Sequence, residues 1–425
     1  MKLDSIALHA GYTSEPTTRS AAVPIYQTTS YTFDNTQYGA DLFDLKIPGN
    51  IYSRIMNPTN AVLEERVAAM EGGIAALAVA SGMTAITYAI QAIAQAGDNI
   101  VSTSQLYGGT YNLFAHTFPR QGIEVRMVKA DDFAAFEAAI DRDTKAIFCE
   151  SIGNPAGNIV NIAKLAEIAH KHGIPLMVDN TVATPYLCRP FELGADIVIH
   201  SLTKYIGGHG TTLGGAIIDS GNFDWAAHAE RFPMLNEPDP SYHGVSYTKD
   251  IGQAAFIARC RVIPLRNTGG ALAAHSAFLI MQGLETLGLR MDRHCENTLQ
   301  VARYLKNHPK VSWVNYAALE DDKYHALCQE ITGGRSSGIL SFGVKGGRDA
   351  GGQFIDALQM ILRLVNIGDA KSLACHPATT THRQLNAEEL AKAGVSEDLI
   401  RLSIGIEHID DIIADIEQAL EQVSA

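Results

Sequence analysis

The stretch Asp196-Ile-Val-Ile-His-Ser-Leu-Thr-Lys204 joins a short apolar run to a lysine that closely follows it. A second run, Ile174-Pro-Leu-Met-Val-Asp179, ends in an aspartate. Runs of this length predict buried strands, with the lysine and the aspartate at strand ends. The predicted strands span residues 75–80, 99–103, 124–128, 145–150, 175–179, 196–200 and 213–218. Helical patterns separate most of them, which predicts an α/β fold with a large, mostly parallel sheet.

The order of these patterns predicts three parts of the chain. Residues 1–60 are irregular and rich in Thr, Ser, Tyr and Asn, which predicts a segment that is functional or reaches a neighbouring subunit. Residues 61–265 carry the strand–helix alternation and form the predicted large domain. A long helical pattern over about 269–308 begins a smaller C-terminal α/β domain, residues 266–425. Within that domain we expect a strand over 338–344 and helices around 352–362 and 410–423.

The composition argues against several classes of protein. Of 425 residues, 46% are hydrophobic and 19% are charged, as in a globular protein with a large core and a second domain. A net charge of −13 argues against a nucleic-acid or membrane partner. No apolar stretch is long enough to span a bilayer, and no secretory signal is visible. Six scattered cysteines without C-x-x-C spacing fit reduced thiols, so we expect a cytoplasmic protein.

Lys204 and Asp179 suit the chemistry of pyridoxal phosphate. Lys204 follows apolar and small hydroxyl residues, and partial burial would lower the pKa of its amine and favour a Schiff base. Asp179 would hold a pyridine nitrogen in its protonated form, and Tyr107, after another strand, would stack on the ring. Each has an ordinary alternative, namely a surface lysine, a helix cap and a half-buried aromatic. The lysine and the aspartate together favour the cofactor.

A phosphate site is predicted where Ser81-Gly82-Met83 joins a strand to a helix. Glycine lets the backbone approach an anion, and the free N–H groups of a new helix favour phosphate. Ser201 and Thr203, just before the lysine, would add hydroxyl donors. Such turns also serve ordinary packing, so this signal supports the cofactor only in combination with the others.

At this point the chain resembles the cysteine/methionine-metabolism family of pyridoxal-phosphate enzymes, and within it the O-acetylhomoserine sulfhydrylases. The resemblance runs from Leu8-His-Ala-Gly11 to the segment that begins at Arg401 and ends at Asp410. It is carried by Val23-Pro-Ile-Tyr-Gln-Thr-Thr-Ser-Tyr, Tyr52-Ser-Arg54-Ile-Met-Asn-Pro-Thr59, Ser81-Gly-Met83, Val178-Asp179-Asn180-Thr181 and His200-Ser-Leu-Thr-Lys204. It implies the pyridoxal-phosphate-dependent transferase fold type I and a pyridoxal 5′-phosphate cofactor.

The resemblance implies roles for individual residues. Lys204 would carry the cofactor and move protons, and Tyr107 would stack on the ring and assist proton transfer. The remaining cofactor contacts would come from Ser81, Gly82, Met83, Asn154, Asp179, Ser201 and Thr203. Tyr52 and Arg54 match residues that reach the phosphate from a neighbouring subunit, which makes a homodimer the active unit and a homotetramer the expected assembly.

The substrate side of the site follows from the same resemblance. Asn154, Ser372 and Arg401 match the site of the substrate carboxylate, where a guanidinium gives a two-point grip. Gly109 stands where methionine γ-lyases carry cysteine, and Lys371 stands where cystathionine enzymes commonly carry glutamate. A lysine there would repel a cationic distal group. The stretch from Asn366 to His382 is typical of sulfhydrylases.

These features predict γ-replacement, in which O-acetyl-L-homoserine and sulfide give L-homocysteine and acetate in methionine biosynthesis. Alternatives remain open: a methionine γ-lyase, a cystathionine-type γ-elimination or γ-replacement enzyme, and a sulfhydrylase that uses another acyl ester or sulfur donor. A non-catalytic protein that keeps the fold is a further alternative, and the intact set of Lys204, Asp179, Tyr107 and Arg401 argues against it.

Overall fold

The computed structural model of the protein describes residues 1–44, 46–380, 383 and 396–424. Its strands are β1 Ala75–Val79, β2 Asn99–Thr103, β3 Glu124–Val128, β4 Thr144–Glu150, β5 Leu176–Asp179, β6 Ile197–His200, β7 Gly215–Asp219, β8 Val311–Asn315, β9 Ile339–Val344, β10 Leu362–Arg363, β11 Leu373–Cys375 and β12 Leu399–Ser403. They form a seven-stranded and a five-stranded sheet.

The helices alternate with the strands over most of the chain. The α-helices are α1 Leu3–His9, α2 Thr36–Phe43, α3 Pro58–Glu71, α4 Gly82–Gln91, α5 Gly108–Asn112, α6 Phe118–Arg120, α7 Phe133–Ala139, α8 Ile162–Lys171, α9 Thr184–Leu187, α10 Pro233–Asn236, α11 Tyr247–Asp250, α12 Ala255–Cys260, α13 Arg266–Thr268, α14 Ala274–Leu284, α15 Leu287–Lys306, α16 His325–Thr332, α17 Gly347–Ala357 and α18 Ile409–Glu421. The described residues also contain two π-helical turns, Leu113–Thr117 and Arg261–Leu265, and three 3-10 turns, Pro190–Leu193, Gly252–Ala254 and Pro377–Thr379. No helix in the described ranges is both long and apolar enough to cross a membrane.

The large sheet has the strand order β1-β7-β6-β5-β4-β2-β3. Only β7 runs against its neighbours, so the carboxyl ends of the other six strands lie on one edge. The central strands β4, β5 and β6 are buried along almost their whole length and have apolar middles, because helices cover both faces of the sheet. The mostly parallel sheet expected from the sequence is confirmed. Its carboxyl edge is where an open α/β sheet binds ligands.

Local sequence explains the helices nearest this edge. Helix α3 has proline in its first turn and Asn57 as its N-cap, and it ends at Gly72, whose φ of 82° suits glycine. Helix α4 begins directly after β1, and the Ser81 hydroxyl caps it by accepting from the Thr84 N–H. The start of α4 is thereby fixed at the ligand-binding edge.

The second sheet has the order β10-β11-β12-β9-β8 and is antiparallel except for the β10–β11 pair. Helices α14 and α15 connect it to the large sheet, and α17 and α18 pack together beside it. Strand β12 places Arg401 between β9 and β11. This smaller α/β unit agrees with the predicted C-terminal part. The division of the chain into three parts, with boundaries after residues 60 and 265, remains a prediction.

Several elements differ from the sequence prediction. The long helix expected over about 269–308 is two helices, because the chain turns at Glu285 and Thr286. The N-terminal 60 residues contain α1, α2 and the start of α3 and are therefore less irregular than expected. The helix expected around 352–362 lies earlier, as α17, and gives way to the short strand β10.

Candidate active site

A cavity of about 200 Å³ lies at the carboxyl edge of the large sheet. Its lining comes from the ends of several strands, from the start of α4 and from two segments near the second sheet. The lining residues are Ser81, Gly82, Met83, Ile86, Tyr107, Thr110, Glu150, Ile152, Asn154, Asp179, Thr181, Val182, Ser201, Thr203, Lys204, Leu213, Val365, Asn366, Ile367 and Arg401. The cavity therefore gathers the predicted lysine, aspartate, aromatic and arginine.

The start of α4 packs closely against the end of β6. A Cβ added to Gly82 would lie 2.7 Å from Ser201 Cβ and 3.0 Å from its Cα, so only glycine permits this approach. The first N–H groups of the helix have no partner within the helix, and Ser201 and Thr203 line the same cavity. Such an arrangement suits a phosphate group.

Lys204 lies in the turn after β6, where the Gly208 N–H donates to its carbonyl oxygen at 2.7 Å. Its amine donates to Asn366 Oδ1 at 2.5 Å. Burial, with a further contribution from the positive charge of Arg401, lowers the pKa of the Lys204 amine to about 8. An amine with this pKa is partly uncharged near neutral pH and can act as nucleophile or base.

Asp179 ends β5 and accepts from the Thr181 N–H at 3.0 Å. Burial raises its pKa, whereas the hydrogen bonds from Thr181 and the charge of His200 act in the opposite direction. The His200 ring is fully buried, with Nε2 2.5 Å from Glu71 Oε1, and the side-chain amide of Asn180 donates to the same oxygen at 2.9 Å. A cationic nitrogen placed beside Asp179 would stabilise its carboxylate.

Glu150 is a second carboxyl group at the cavity, and it sits beside Asp179 because β4 and β5 pair at these two positions. Its Oε1 accepts from the Tyr107 N–H at 2.6 Å and so anchors the loop that carries this aromatic ring. Burial, then the charge of Asp179, raises the pKa of Glu150 well above its ordinary value. Tyr107 is 43% exposed and lines the cavity.

Arg401 supplies the guanidinium of the cavity from β12 and is 5% exposed. Its Nη1 donates to Asn154 Oδ1 at 3.2 Å, and its Nη2 donates to the Asn366 carbonyl at 2.9 Å. Among the described atoms its Nε has no partner. A buried donor without an acceptor is costly, so this nitrogen is suited to an anionic ligand.

Ser372 does not reach this cavity. Its hydroxyl donates to Glu407 Oε2 at 2.9 Å and accepts from the Gly405 N–H at 2.8 Å, and it is fully buried there. The structure places Asn366 beside Arg401 instead, and the Ser372 hydroxyl expected at the substrate carboxylate is engaged by Glu407 and Gly405.

Tyr52, Arg54 and Lys371 also lie away from the cavity lining. Tyr52 and Arg54 are exposed, with the guanidinium carbon 5.4 Å from the centre of the tyrosine ring. Lys371 Nζ lies 3.0 Å from Asp369 Oδ1, and Lys371 is likewise outside the cavity lining. This geometry therefore does not support the expected repulsion between Lys371 and a cationic group at the distal end of a substrate. Residues 381 and 382, which end the sulfhydrylase-like stretch, lie outside the described residues.

Glu150 and Asn366 are polar residues of the cavity that were not predicted as site residues from the sequence. Glu150 ends an apolar strand, and the same signal had singled out Asp179. Asn366 begins the stretch that is typical of sulfhydrylases, and no local pattern marks it as a neighbour of Lys204 and Arg401. Only the packing of the second sheet against the first brings it there.

The cavity fits pyridoxal phosphate on its own geometry. A phosphate would bind at the start of the helix, at Gly82. A protonated pyridine nitrogen would stabilise the carboxylate of the buried Asp179. The Lys204 amine, with its lowered pKa, could react with the cofactor's carbonyl group. These features define a pyridoxal-phosphate enzyme.

Comparison with known proteins agrees with this class. The model for the Cys/Met metabolism PLP-dependent enzyme family matches residues 4–421. The homocysteine synthase of Schizosaccharomyces pombe is 52% identical over 419 residues, which cover 98% of each chain. The O-acetyl-L-homoserine sulfhydrylase 1 of Thermus thermophilus is 50% identical over 422 residues, covering 99% of this chain and 100% of that protein. The chain belongs to the Cys/Met metabolism PLP-dependent enzymes.

A solved structure extends the comparison to the fold. The crystal structure of a proposed O-acetylhomoserine (thiol)-lyase from Campylobacter jejuni has a TM-score of 0.96 and 45% identity, covering 99% of this chain and 100% of that one. It contains N′-pyridoxyl-lysine-5′-monophosphate at its own position 205. The expected family, the fold type I architecture, the enzymatic nature of the protein and its pyridoxal phosphate cofactor are confirmed.

Proposed function

We propose that the enzyme converts O-acetyl-L-homoserine and sulfide to L-homocysteine and acetate by γ-replacement, a step of methionine biosynthesis. The observation that carries the proposal is the position of the Lys204 amine, which shares one cavity with Asp179 and Arg401 and whose pKa is lowered to about 8. The names of the relatives from Schizosaccharomyces pombe and Thermus thermophilus support the same chemistry.

Arg401 would hold the substrate's α-carboxylate. Its unpartnered Nε is available as a donor, and substrate oxygens can share Nη1 with Asn154. Asn366 is fixed through its carbonyl to Arg401 Nη2, so its side-chain amide stands beside the same carboxylate. A charged donor in a buried site binds a carboxylate about twice as strongly as a neutral one.

Pyridoxal phosphate, when bound, supplies an electron sink next to the substrate's α-carbon. Asp179 would keep a proton on the ring nitrogen. The protonated nitrogen would in turn balance the negative charge of this carboxylate, which is buried beside Glu150. Tyr107 would cover one face of the ring, while Ser81, Gly82, Met83, Ser201 and Thr203 would contact the phosphate. These contacts would hold the cofactor in the cavity that Lys204 lines.

Lys204 Nζ would move the protons. Once the substrate amine has replaced it, the neutral Lys204 amine would take the α-proton, release it within the site and then, uncharged again, take a proton from the β-carbon. The Cγ–O bond breaks, acetate leaves with the bonding electrons, and the sulfide forms the new Cγ–S bond. Proton return to the β- and α-carbons completes L-homocysteine. One base serves both carbons because it needs only reach and a pKa near the working pH.

Gly109 favours replacement over a γ-lyase of the methionine type. A Cβ at this position would lie 2.5 Å from Tyr107 Cε1, so the present ring position requires glycine. A cysteine there would displace the aromatic ring that covers the cofactor. The position of the Tyr107 ring is therefore compatible with glycine at residue 109 and not with the cysteine of methionine γ-lyases.

The assembly proposal rests on the N-terminal segment. Tyr52 and Arg54 are exposed on this chain and absent from its own cavity lining, which supports a role at the phosphate of a neighbouring subunit. We assign residues 1–60 to that contact, 61–265 to the cofactor domain and 266–425 to the C-terminal domain, in a homodimeric active unit within a homotetramer. All six cysteines are unpaired and buried, which supports a reducing, cytoplasmic location.

The proposal is tested by product analysis of the purified holoenzyme. With O-acetyl-L-homoserine and sulfide we expect homocysteine and acetate in equal amounts, with little 2-oxobutyrate. Faster turnover of O-succinyl or O-phospho homoserine, or of methanethiol in place of sulfide, would reassign the substrate within the same reaction. Methionine cleavage to 2-oxobutyrate, with no homocysteine from either ester, would replace the proposal by a γ-lyase.

A further inference from the structure

Arg290 is a buried guanidinium on α15 that the catalytic site does not use directly. It is 5% exposed, and its side-chain hydrogen bonds in the described part of the chain reach no carboxylate. Burial lowers its pKa to about 10. A buried cation without a counter-ion costs several kcal/mol unless hydrogen bonds compensate it. The contacts of Arg290 must therefore supply that compensation.

All four of its hydrogen bonds go to uncharged acceptors. Nη1 donates to the Tyr205 carbonyl at 2.6 Å, and Nη2 donates to the Ile206 carbonyl at 3.2 Å. The remaining bonds lie within its own helical hairpin, from Nη2 to the Gly283 carbonyl at 2.6 Å and from Nε to Thr286 Oγ1 at 3.2 Å. Arg290 thus ties the two residues that follow Lys204 to the connection between α14 and α15.

The backbone around this contact is shaped to admit the guanidinium. Gly208 has a φ of 68°, and a Cβ on it would lie 2.2 Å from Arg290 Nη1. The Gly208 carbonyl accepts from the Ala370 N–H at 2.9 Å. The turn after Lys204 is therefore held by Arg290 on one side and by the segment that contains Asn366 on the other.

The same face of α15 holds the chain that follows Arg401. His294 Nδ1 lies 2.6 Å from the Ile404 carbonyl oxygen, and the Asn297 amide donates to the Gly405 and Glu407 carbonyls at 3.0 Å each. Positions 290, 294 and 297 share one helix face, since they are spaced by four and three residues. One helix thus contacts the backbone after Lys204 and the backbone after Arg401.

We propose that Arg290 is a positioning residue, which fixes the Lys204 amine relative to Arg401 by holding the Tyr205 and Ile206 carbonyls to α15. The proposal rests on the role of Lys204 in the proposed function. It also explains why a guanidinium is buried without a carboxylate: three carbonyls in fixed directions need a planar donor with several N–H groups. A purely stabilising role would affect unfolding and leave the reactivity of Lys204 unchanged.

The test compares Arg290→Met and Arg290→Lys with Arg259→Met. Arg259 is also buried, donates to the Ala92 carbonyl at 3.0 Å and pairs with Asp239 at 3.0 Å, and neither it nor these two partners line the cavity. Four quantities are measured for each variant: Tm, the rate at which the cofactor-free protein attaches pyridoxal phosphate covalently (trapped by borohydride), and kcat and KM for the ester.

We expect Arg290→Met to slow attachment and to lower kcat by about tenfold or more, with KM within about threefold, because binding through Arg401 persists. Arg290→Lys should recover part of both rates, since its ammonium can still reach one of the carbonyls. Arg259→Met should lower Tm and leave the attachment rate unchanged.

Two results would overturn the inference: wild-type attachment and kcat in a folded Arg290→Met protein, or equal losses in Arg259→Met. If Arg290→Met does not fold, Arg290→Lys provides the test. An attachment rate and a kcat in Arg290→Lys that equal those of the wild type would contradict the positioning role. A wild type that attaches the cofactor but forms no homocysteine would refute the proposed function alone, because the attachment rates still test Arg290.

Discussion

Glu150 and Asp179 stand opposite each other at the ends of β4 and β5, so two buried carboxyl groups share one side of the cavity. Both have raised pKa values, chiefly because of burial, and the charge of Asp179 raises that of Glu150 further. The simplest arrangement keeps a proton on Glu150 and leaves Asp179 ionised for the ring nitrogen. The main function of Glu150 is then to accept from the Tyr107 N–H.

Glu150→Gln should therefore retain most of the activity, because the amide oxygen can still accept from Tyr107. Glu150→Ala leaves that partly buried N–H without its partner, and we expect a loss of about 1 kcal/mol or more in transition-state stabilisation. The values of kcat/KM for the two variants check this expectation. Equal losses in both would show that the charge of Glu150, rather than its hydrogen bond, matters.

The same pair predicts a pH effect on stability. A carboxyl whose pKa is raised on folding binds more protons in the folded state, so the folded protein loses stability as pH rises above the ordinary pKa of the group. Removal of the titrating group should relieve this loss. The Tm of cofactor-free Glu150→Gln minus the Tm of the cofactor-free wild type should therefore increase as pH rises from about 5 to about 8. A Tm difference that is constant over this range would contradict the assignment.

Arg401→Met should weaken the hold on the substrate and change the titration of Lys204. Loss of a buried charge-assisted contact should lower kcat/KM by about 100-fold, with little effect on cofactor affinity. The positive charge of Arg401 contributes to the lowered pKa of Lys204, so the midpoint for covalent attachment of pyridoxal phosphate should move from about 8 to higher pH. Attachment rates measured across pH would show this shift, and an unmoved midpoint would speak against the interaction.

Gly109→Cys should displace the Tyr107 ring and reduce γ-replacement, because the added Cβ meets that ring at 2.5 Å. Gly352→Ala is a suitable control, since its Cβ would meet nothing within 4 Å. We expect about a tenfold loss of kcat for the first and none for the second. Wild-type turnover in Gly109→Cys would show that the ring can move without consequence.

The sequence was most informative where one strand decides the position of a residue. Lys204 and Asp179 follow apolar runs of a parallel sheet, and the carboxyl ends of such strands meet at one edge. Glu150 obeys the same rule and was predictable from it. The helix pattern of 269–308 was misleading at Glu285 and Thr286, because apolar periodicity continues across the turn between α14 and α15.

Contacts between distant segments were beyond such reasoning. Asn366 meets Lys204 and Arg401 only because the second sheet packs against the first, and Ser372, six residues further, points to Glu407 instead. The bond from Arg290 to the Tyr205 carbonyl spans 85 residues and has no local signature. Spacing along the chain carries no information about such pairs.

The central claim is that Lys204 moves the protons of γ-replacement, and its most direct test is the rate of homocysteine formation from O-acetyl-L-homoserine and sulfide by Lys204→Ala loaded with pyridoxal phosphate. We expect the wild type to release one acetate per homocysteine and the variant to be slower by at least about 1,000-fold. Homocysteine formation at the wild-type rate by Lys204→Ala would contradict the claim.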